Sequence, residues 1–257
     1  MRALSRFVPP PIRHLTRIAV DYALPPRCPG CGVIVEDDHR FCLSCWQGMT
    51  FLGSPCCDCC GIPFPFDMGP DALCGACLAD PPEIDRARAV LAYGDVARTI
   101  ALKLKYGRRI GLARLIAAQM VRHVPEGDRD TMLIVPVPLH RWRLWWRGFN
   151  QSAIIADHLA RLTGVAVDNE ILIRTRRTPP LRGMGPKARR KAVRGAFRLS
   201  GANPNPLKGR NVILIDDIHT SGATADACAA ALRKGGALSV TLLCWARVLP
   251  ETTEQAD

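Results

Sequence analysis

The sequence predicts an α/β domain, a mainly parallel sheet flanked by helices, preceded by a small cysteine-rich module. Three observations carry this reading. Ten of the twelve cysteines lie between Cys28 and Cys77. Beyond them, short apolar runs alternate with stretches of helical spacing, the order expected of parallel strands joined by crossover helices. One run, Val212-Ile-Leu-Ile215, leads into Asp216-Asp217 and then into a small polar turn at the head of a helix. A chain of 257 residues accommodates a main domain with an appended module. The expected division is 1–80, 81–250 and a disordered tail over 251–257.

The elements follow from periodicity and punctuation. Residues 87–93 are a short apolar strand. Over 95–106, Ala97, Ile100, Ala101 and Leu104 share one helical face. A second helix is expected over 112–123, and 132–138 is a buried-strand run that ends in prolines. A third helix covers 149–162, one or two strands cover 166–173, and 212–215 is a strong strand. The helix over 223–234 is closed by Gly235-Gly236, and 238–246 is the final strand. Residues 9–22 fit a short amphipathic helix. No run approaches the roughly 18 apolar residues of a membrane span. The basic start, broken by Pro9-Pro10-Pro11, has no apolar block of a secretory signal. The expectation is a cytoplasmic protein.

That expectation argues against disulfides and for metal. Cys28-x2-Cys31-x10-Cys42-x2-Cys45 has the spacing of two knuckles that together place four sulfurs around one zinc ion. The second set, Cys56-Cys57-Asp58-Cys59-Cys60-Gly61 answered by Cys74-Gly75-Ala76-Cys77, allows two registers. Gly61 repeats the C-x-x-C-G pattern of Cys28 to Gly32, which favours Cys57, Cys60, Cys74 and Cys77 over the Cys56/Cys59 alternative. Two structural Zn²⁺ are expected. A segment this short has too little core to fold without its metal. Cys228 and Cys244 read as core residues.

Charge is unevenly placed. Residues 1–80 hold 6 Lys and Arg against 8 Asp and Glu, whereas the remainder holds 29 against 15. The basic surface therefore belongs to the second part and calls for an anionic partner there. Residues 171–198 alone carry ten Lys and Arg and no acid. Their glycines and prolines make part of this segment a flexible loop, and ten positive charges suit a polyanion. Arg141-Trp-Arg-Leu-Trp-Trp-Arg147 interleaves three tryptophans with arginines, the composition on which single-stranded bases stack. Lys103, Lys105, Arg108 and Arg109 around Tyr106 and Gly107 read as a solvated helix end.

The segment from Asp216 to Thr224 is the most informative. Adjacent carboxylates at a strand end accept hydrogen bonds from a vicinal diol or hold a metal ion. His219, Thr220, Ser221, Gly222, Ala223 and Thr224 then supply backbone N–H groups and hydroxyls at a helix start, a phosphate cradle. Diol and phosphate together describe ribose 5-phosphate.

This segment resembles the phosphoribosyl-pyrophosphate signature of type I phosphoribosyltransferases. With Val135-Pro-Val-Pro-Leu-His140, Arg147-Gly-Phe-Asn-Gln151 and Arg194-Gly-Ala-Phe197, the chain resembles the ComF family of competence-associated proteins, from Cys28 to about Val248. The resemblance implies that Asp216 and Asp217 meet the ribose hydroxyls and that residues 219–224 wrap the 5-phosphate. It further implies that Arg147, Arg189, Arg190 and Arg194 serve the pyrophosphate or another anion. Mg²⁺ would accompany phosphoribosyl pyrophosphate, and the implied partners are that ligand or a nucleotide, single-stranded DNA and a competence helicase. The loop after residue 139 is long, basic and aromatic, unlike the short pyrophosphate loop of the metabolic enzymes. The fold also serves binders without catalysis, so the signature implies a ligand before it implies a reaction.

Overall fold

A computed structural model describes residues 25–178, 183–201 and 206–250; the expected helix over 9–22 and the tail over 251–257 lie outside them. The chain divides into two compact units, Met1–Gly48 and Met49–Asp257. In the first unit the Cys28 knuckle is closed by hydrogen bonds from Gly32 N to Cys28 O (2.9 Å) and from Cys28 N to Val33 O (2.8 Å). Helix α1 (Leu43–Gln47) follows, with Cys42 at its N-cap and Cys45 inside it.

The second unit repeats that plan and joins it to the sheet. Gly61 N donates to Cys57 O and Cys57 N to Ile62 O, both at 2.8 Å. Cys74 then caps α2 (Gly75–Ala79), which contains Cys77. Strand β1 (Arg86–Ala92) is the sheet edge beside this ribbon. Ala87 N donates to Cys59 O at 2.6 Å, and Leu52 N to Val90 O at 3.0 Å. Asp58, inside the knuckle, takes Arg86 at 2.8 Å and Arg88 at 3.0 Å. A Cβ at Gly61 would run into the Ala87 carbonyl, which is why glycine with φ +70° sits there. The ribbon thus covers an edge whose backbone groups would otherwise be open to pairing.

Helices α3 (Asp95–Lys105) and α4 (Leu112–Met120) lead to β2 (Met132–Pro136). Then come α5 (Arg141–Arg147), α6 (Gln151–Thr163), β3 (Ala166–Val167) and β4 (Leu172–Arg174). Helix α7 (Pro186–Val193), β5 (Phe197–Leu199), β6 (Asn211–His219), α8 (Ala223–Lys234) and β7 (Ser239–Arg247) complete the unit. The main sheet has the order β1-β7-β6-β2-β3 with every pairing parallel, and β4 and β5 form a separate antiparallel pair. Alternate residues of β2 and β6, such as Leu133, Val135, Val212 and Leu214, join the core under α8. The residues between them face the side where α4 packs on α6. This is the mainly parallel, helix-flanked sheet that the sequence predicts.

Two expectations need correction, and a third is refined. The strand expected over 212–215 runs on through both aspartates to His219, because β7 continues to pair with it from Cys244 to Arg247. The basic aromatic stretch is helix α5, not a loop: His140 Nδ1 accepts from Trp142 N at 3.4 Å, and Gly148, at φ +82°, ends the helix. The basic segment, of which only part is expected to be a loop, holds β4, α7 and β5, and residues 179–182 lie outside the described residues. Pro186 sits in the first turn of α7, where its missing N–H is not needed, and Ala, Lys and Arg favour the helix that follows.

Candidate functional site

The two cysteine tetrads are Cys28, Cys31, Cys42 and Cys45, and Cys57, Cys60, Cys74 and Cys77, each with all sulfurs within 4.8 Å of one another. A tetrahedral zinc site with Zn–S bonds of ~2.3 Å needs sulfurs about 3.8 Å apart. The Cys31–Cys42 and Cys60–Cys74 pairs stand at 3.5 and 3.7 Å. Backbone N–H groups of Cys60 and Cys74 donate to Cys57 Sγ at 3.5 and 3.3 Å. Despite burial, these donors lower the Cys57 thiol to about 7. In the first tetrad burial, then the neighbouring sulfurs, push Cys45 up to about 12, the direction expected of crowded thiols that have no cation among them. Both tetrads fit structural zinc. Cys56 and Cys59 belong to neither.

The second site lies where the chain leaves adjacent strands in opposite directions, from β2 toward β3 and from β6 toward β7. Such a switch point opens a crevice at the strand ends. Here it is a cleft of about 1080 Å³. Asp216 Oδ1 accepts from Asp217 N at 2.9 Å and from Ser152 Oγ at 3.4 Å. Asn150 places Ser152: its side chain caps α6 by accepting from Ser152 N (3.1 Å) and donates to Val137 O (3.1 Å), tying the end of β2 to α6. Asp217 is buried and forms an ion pair with Lys105. Arg147 donates to Gln151 Oε1 at 2.5 Å, and its guanidinium lies 5.2 Å from the Tyr106 ring centroid.

After β6 the chain turns through exposed Thr220 and half-buried Ser221. Gly222 adopts the left-handed conformation at φ +78°, and α8 begins at Ala223 with no side chain capping its first N–H groups. Those amides have no side-chain cap among the described residues, and the helix dipole is positive at this end. His219 lies beneath this turn, its ring carbon 3.5 Å from where a Gly222 Cβ would be. Burial, then Arg247, lower His219 to about 3, so the ring is neutral.

Residues 19–78 match the family model described as a double zinc ribbon domain. Along most of its length the chain is similar to DNA utilization protein YhgH of Escherichia coli K12, 31% identical over 231 residues that cover 88% of this chain and 99% of the relative. It is 30% identical to Competence protein F of Haemophilus influenzae, over 63% of this chain and 73% of that one. The chain belongs to the ComF family. A hypoxanthine phosphoribosyltransferase from Staphylococcus aureus aligns over 58% of this chain and 66% of its own, with 13% identity and a TM-score of 0.33.

In this ComF-family chain, Asp216, Asp217, Thr220 and Thr224 line the cleft together with Arg147 and Arg189. Arg190 and Arg194 do not. They line a separate cavity of about 980 Å³ between α7 and α8, where Arg190 pairs with Asp80. The cleft also draws in Arg143 and Arg174, which belong to the two basic segments singled out in the sequence, and two residues that sequence reasoning misses, Ser152 and Lys105. Only Ser152 has a legible signal, since it follows the Asn150-Gln151 start of α6. A further cavity of about 710 Å³ is lined by Trp142, Trp145, Trp146, Arg143, Arg174 and Arg177, among others. Arg143, Trp146 and Arg174 line both it and the cleft.

Proposed function

We propose that the cleft binds the 5-phosphoribosyl group of phosphoribosyl pyrophosphate together with Mg²⁺ and presents it for transfer to an acceptor. The observation that carries this reading is the continuity of the acid pair with an uncapped helix start. In this reading Asp216 and Asp217 accept from the ribose hydroxyls, and the amides from Ala223 onward, with the Thr220, Ser221 and Thr224 hydroxyls, hold the 5-phosphate. Arg143, Arg147 and Arg189 lie on the same cleft, where the diphosphate would sit. Six cations line this cleft against three carboxylates, a balance that suits a polyanionic ligand whose diol still needs acceptors. Bound with the ligand, Mg²⁺ supplies neutralisation of the departing diphosphate. The residues supply position and field, as the ribose C1–oxygen bond to diphosphate breaks and a bond from C1 to the acceptor forms.

Calorimetry with phosphoribosyl pyrophosphate, with and without Mg²⁺, tests binding; diphosphate release that depends on an added acceptor tests transfer. Binding also has a pH signature. Burial, then the Asp217 charge, push the Asp216 carboxyl up to about 7, with Lys105 opposing. Accepting from a diol favours the ionised form, so affinity rises with pH, by up to about tenfold per unit, and levels off above about 7. Asp216→Asn flattens that profile; a wild-type profile already flat from pH 5.5 to 8 contradicts the assignment. Linkage has the opposite sign for stability. The folded state keeps a proton that the unfolded chain has released, so this group opposes folding increasingly as pH rises from about 3.8 to about 7.

A second reading, single-stranded nucleic acid as the ligand or acceptor, draws support from α5. Trp142, Trp145 and Trp146 are 56, 79 and 69% exposed beside Arg141 and Arg143, a large aromatic surface to leave in water without a partner. Trp145→Ala lowers affinity for single-stranded DNA by ~1–3 kcal/mol with little change in salt dependence. Neutralising Arg189, Arg190, Lys191 and Arg194 instead flattens the slope of log K against log salt by about 0.7 for each DNA phosphate that the protein no longer neutralises. Wild-type protein that binds no single-stranded DNA at low salt removes this reading.

A further inference from the structure

We propose that Lys105 is a resident counter-ion of the acid pair, one that keeps divalent cations off Asp217 until the phosphoribosyl ligand arrives. The inference rests on the ribose-site reading above and assigns a role to a residue outside the signature segment. Its ammonium pairs with Asp217 Oδ2, with side-chain exposures of only 20% and 7%. That oxygen is buried and, among the described residues, has no hydrogen-bond donor apart from this ion pair.

The lysine is held there from both directions along the chain. Upstream, Ala97, Ile100, Ala101 and Leu104 are the buried face of α3. Trp245 Nε1 donates to Ala97 O at 3.3 Å, pinning the helix to β7. Downstream, Tyr106 meets Trp146 edge-on at 6.2 Å and carries the Arg147 guanidinium on its ring. The chain then turns back sharply, Gly107 N donating to Lys103 O at 2.9 Å. A Cβ on Gly107 would come within 2.8 Å of that carbonyl, so the turn requires glycine. A merely solvated lysine would not need such bracing.

Two adjacent carboxylates with no cation repel each other in a cleft partly shielded from water, and the Lys105 ammonium offsets the Asp217 charge. The same ammonium repels a divalent ion that seeks Asp217. The cleft thereby discriminates between Mg²⁺ alone, which meets a neutralised aspartate, and Mg²⁺ carried by a polyanionic ligand. The ligand's phosphate oxygens give the ammonium another acceptor and release Asp217 for a ribose hydroxyl. Metal occupancy then becomes conditional on the ligand.

Mn²⁺ alone is the probe, added to the zinc-loaded full chain and followed as free Mn²⁺ by electron paramagnetic resonance. Lys105→Gln keeps an amide that can donate to Asp217 while removing the charge. It is expected to bind Mn²⁺ roughly ten- to a hundredfold more tightly than wild type, the scale of losing one like charge at contact distance. Lys105→Arg stays at the wild-type level, and Asp217→Asn added to Lys105→Gln abolishes the gain. A structural role alone lowers thermal stability without raising Mn²⁺ affinity. Equal affinity of Lys105→Gln and wild type overturns the proposal. Should Lys105→Gln fail to fold, ¹³C-dimethylation of lysines in the wild-type chain decides. The Lys105 signal, identified by its loss in Lys105→Arg, must stand apart from the solvated lysines without ligand and move when phosphoribosyl pyrophosphate and Mg²⁺ are added. A signal among the solvated lysines from the start overturns it equally. Failure of wild type to bind phosphoribosyl pyrophosphate in calorimetry strikes the ribose-site reading separately, since the Mn²⁺ titration contains no ribose.

Discussion

Asp216→Asn together with Asp217→Asn abolishes binding of phosphoribosyl pyrophosphate while the protein stays folded. Each carboxylate is a charge-assisted acceptor worth about 1.5–3 kcal/mol to a hydroxyl. The pair together therefore accounts for roughly two to four orders of magnitude in affinity. The fold survives because both residues sit at the end of β6, whose pairing with β7 is made by backbone groups. Asparagine at 216 also removes the carboxyl that burial pushes up to about 7, which offsets part of what is lost at Lys105. Calorimetry measures the affinity, and circular dichroism checks the fold. Unchanged affinity in the double variant means that the cradle holds nothing through its diol side.

The second large effect concerns metal, and the two ribbons differ in it. Purified, reduced protein holds two zinc ions per chain by elemental analysis; iron, or no metal, refutes the assignment. Cys57→Ser and Cys77→Ser each lose one zinc and destabilise the whole second unit, because that ribbon is bonded to β1 through Ala87, Arg86 and Arg88. Structural zinc contributes about 10–16 kcal/mol of apparent binding energy in isolated fingers. Even a net loss near ~4 kcal/mol lowers the midpoint by roughly 8–16 °C in a unit of this size. Cys28→Ser also loses one zinc, but its tetrad belongs to the other compact unit, and the main unfolding transition stays in place. Equal shifts from Cys28→Ser and Cys57→Ser contradict this difference.

Legibility in the sequence follows the range of the interactions. Strand β6 and helix α8 announce themselves because an apolar run, two acids, a glycine and an alanine-rich repeat are all local signals. The cysteine register rests on a local repeat as well, Gly32 against Gly61, and the tetrads agree with it. Helix α5 escapes sequence reasoning because its apolar residues, three tryptophans and Leu144, are all exposed, so it has no buried face from which to read a period. Lys105 reads as solvated because its partner stands 112 positions further along the chain, a pairing that only the sheet brings about. Arg189 and Arg190 look like one anion-binding set, yet neighbours on a helix point about 100° apart, and these two face different cavities.

The wall shared by the aspartate cleft and the tryptophan cavity has a thermodynamic consequence. Arg143, Trp146 and Arg174 are common property of both spaces. An occupant of either one fixes the rotamers of the same three side chains, and the next occupant finds that ordering already done. If instead it draws the guanidiniums to its own side, the next occupant finds them committed. In either case the two affinities are linked, and the factor by which one ligand changes the other's dissociation constant must be the same in both directions. The sign of that single coupling free energy tells whether these neighbouring cavities cooperate or compete.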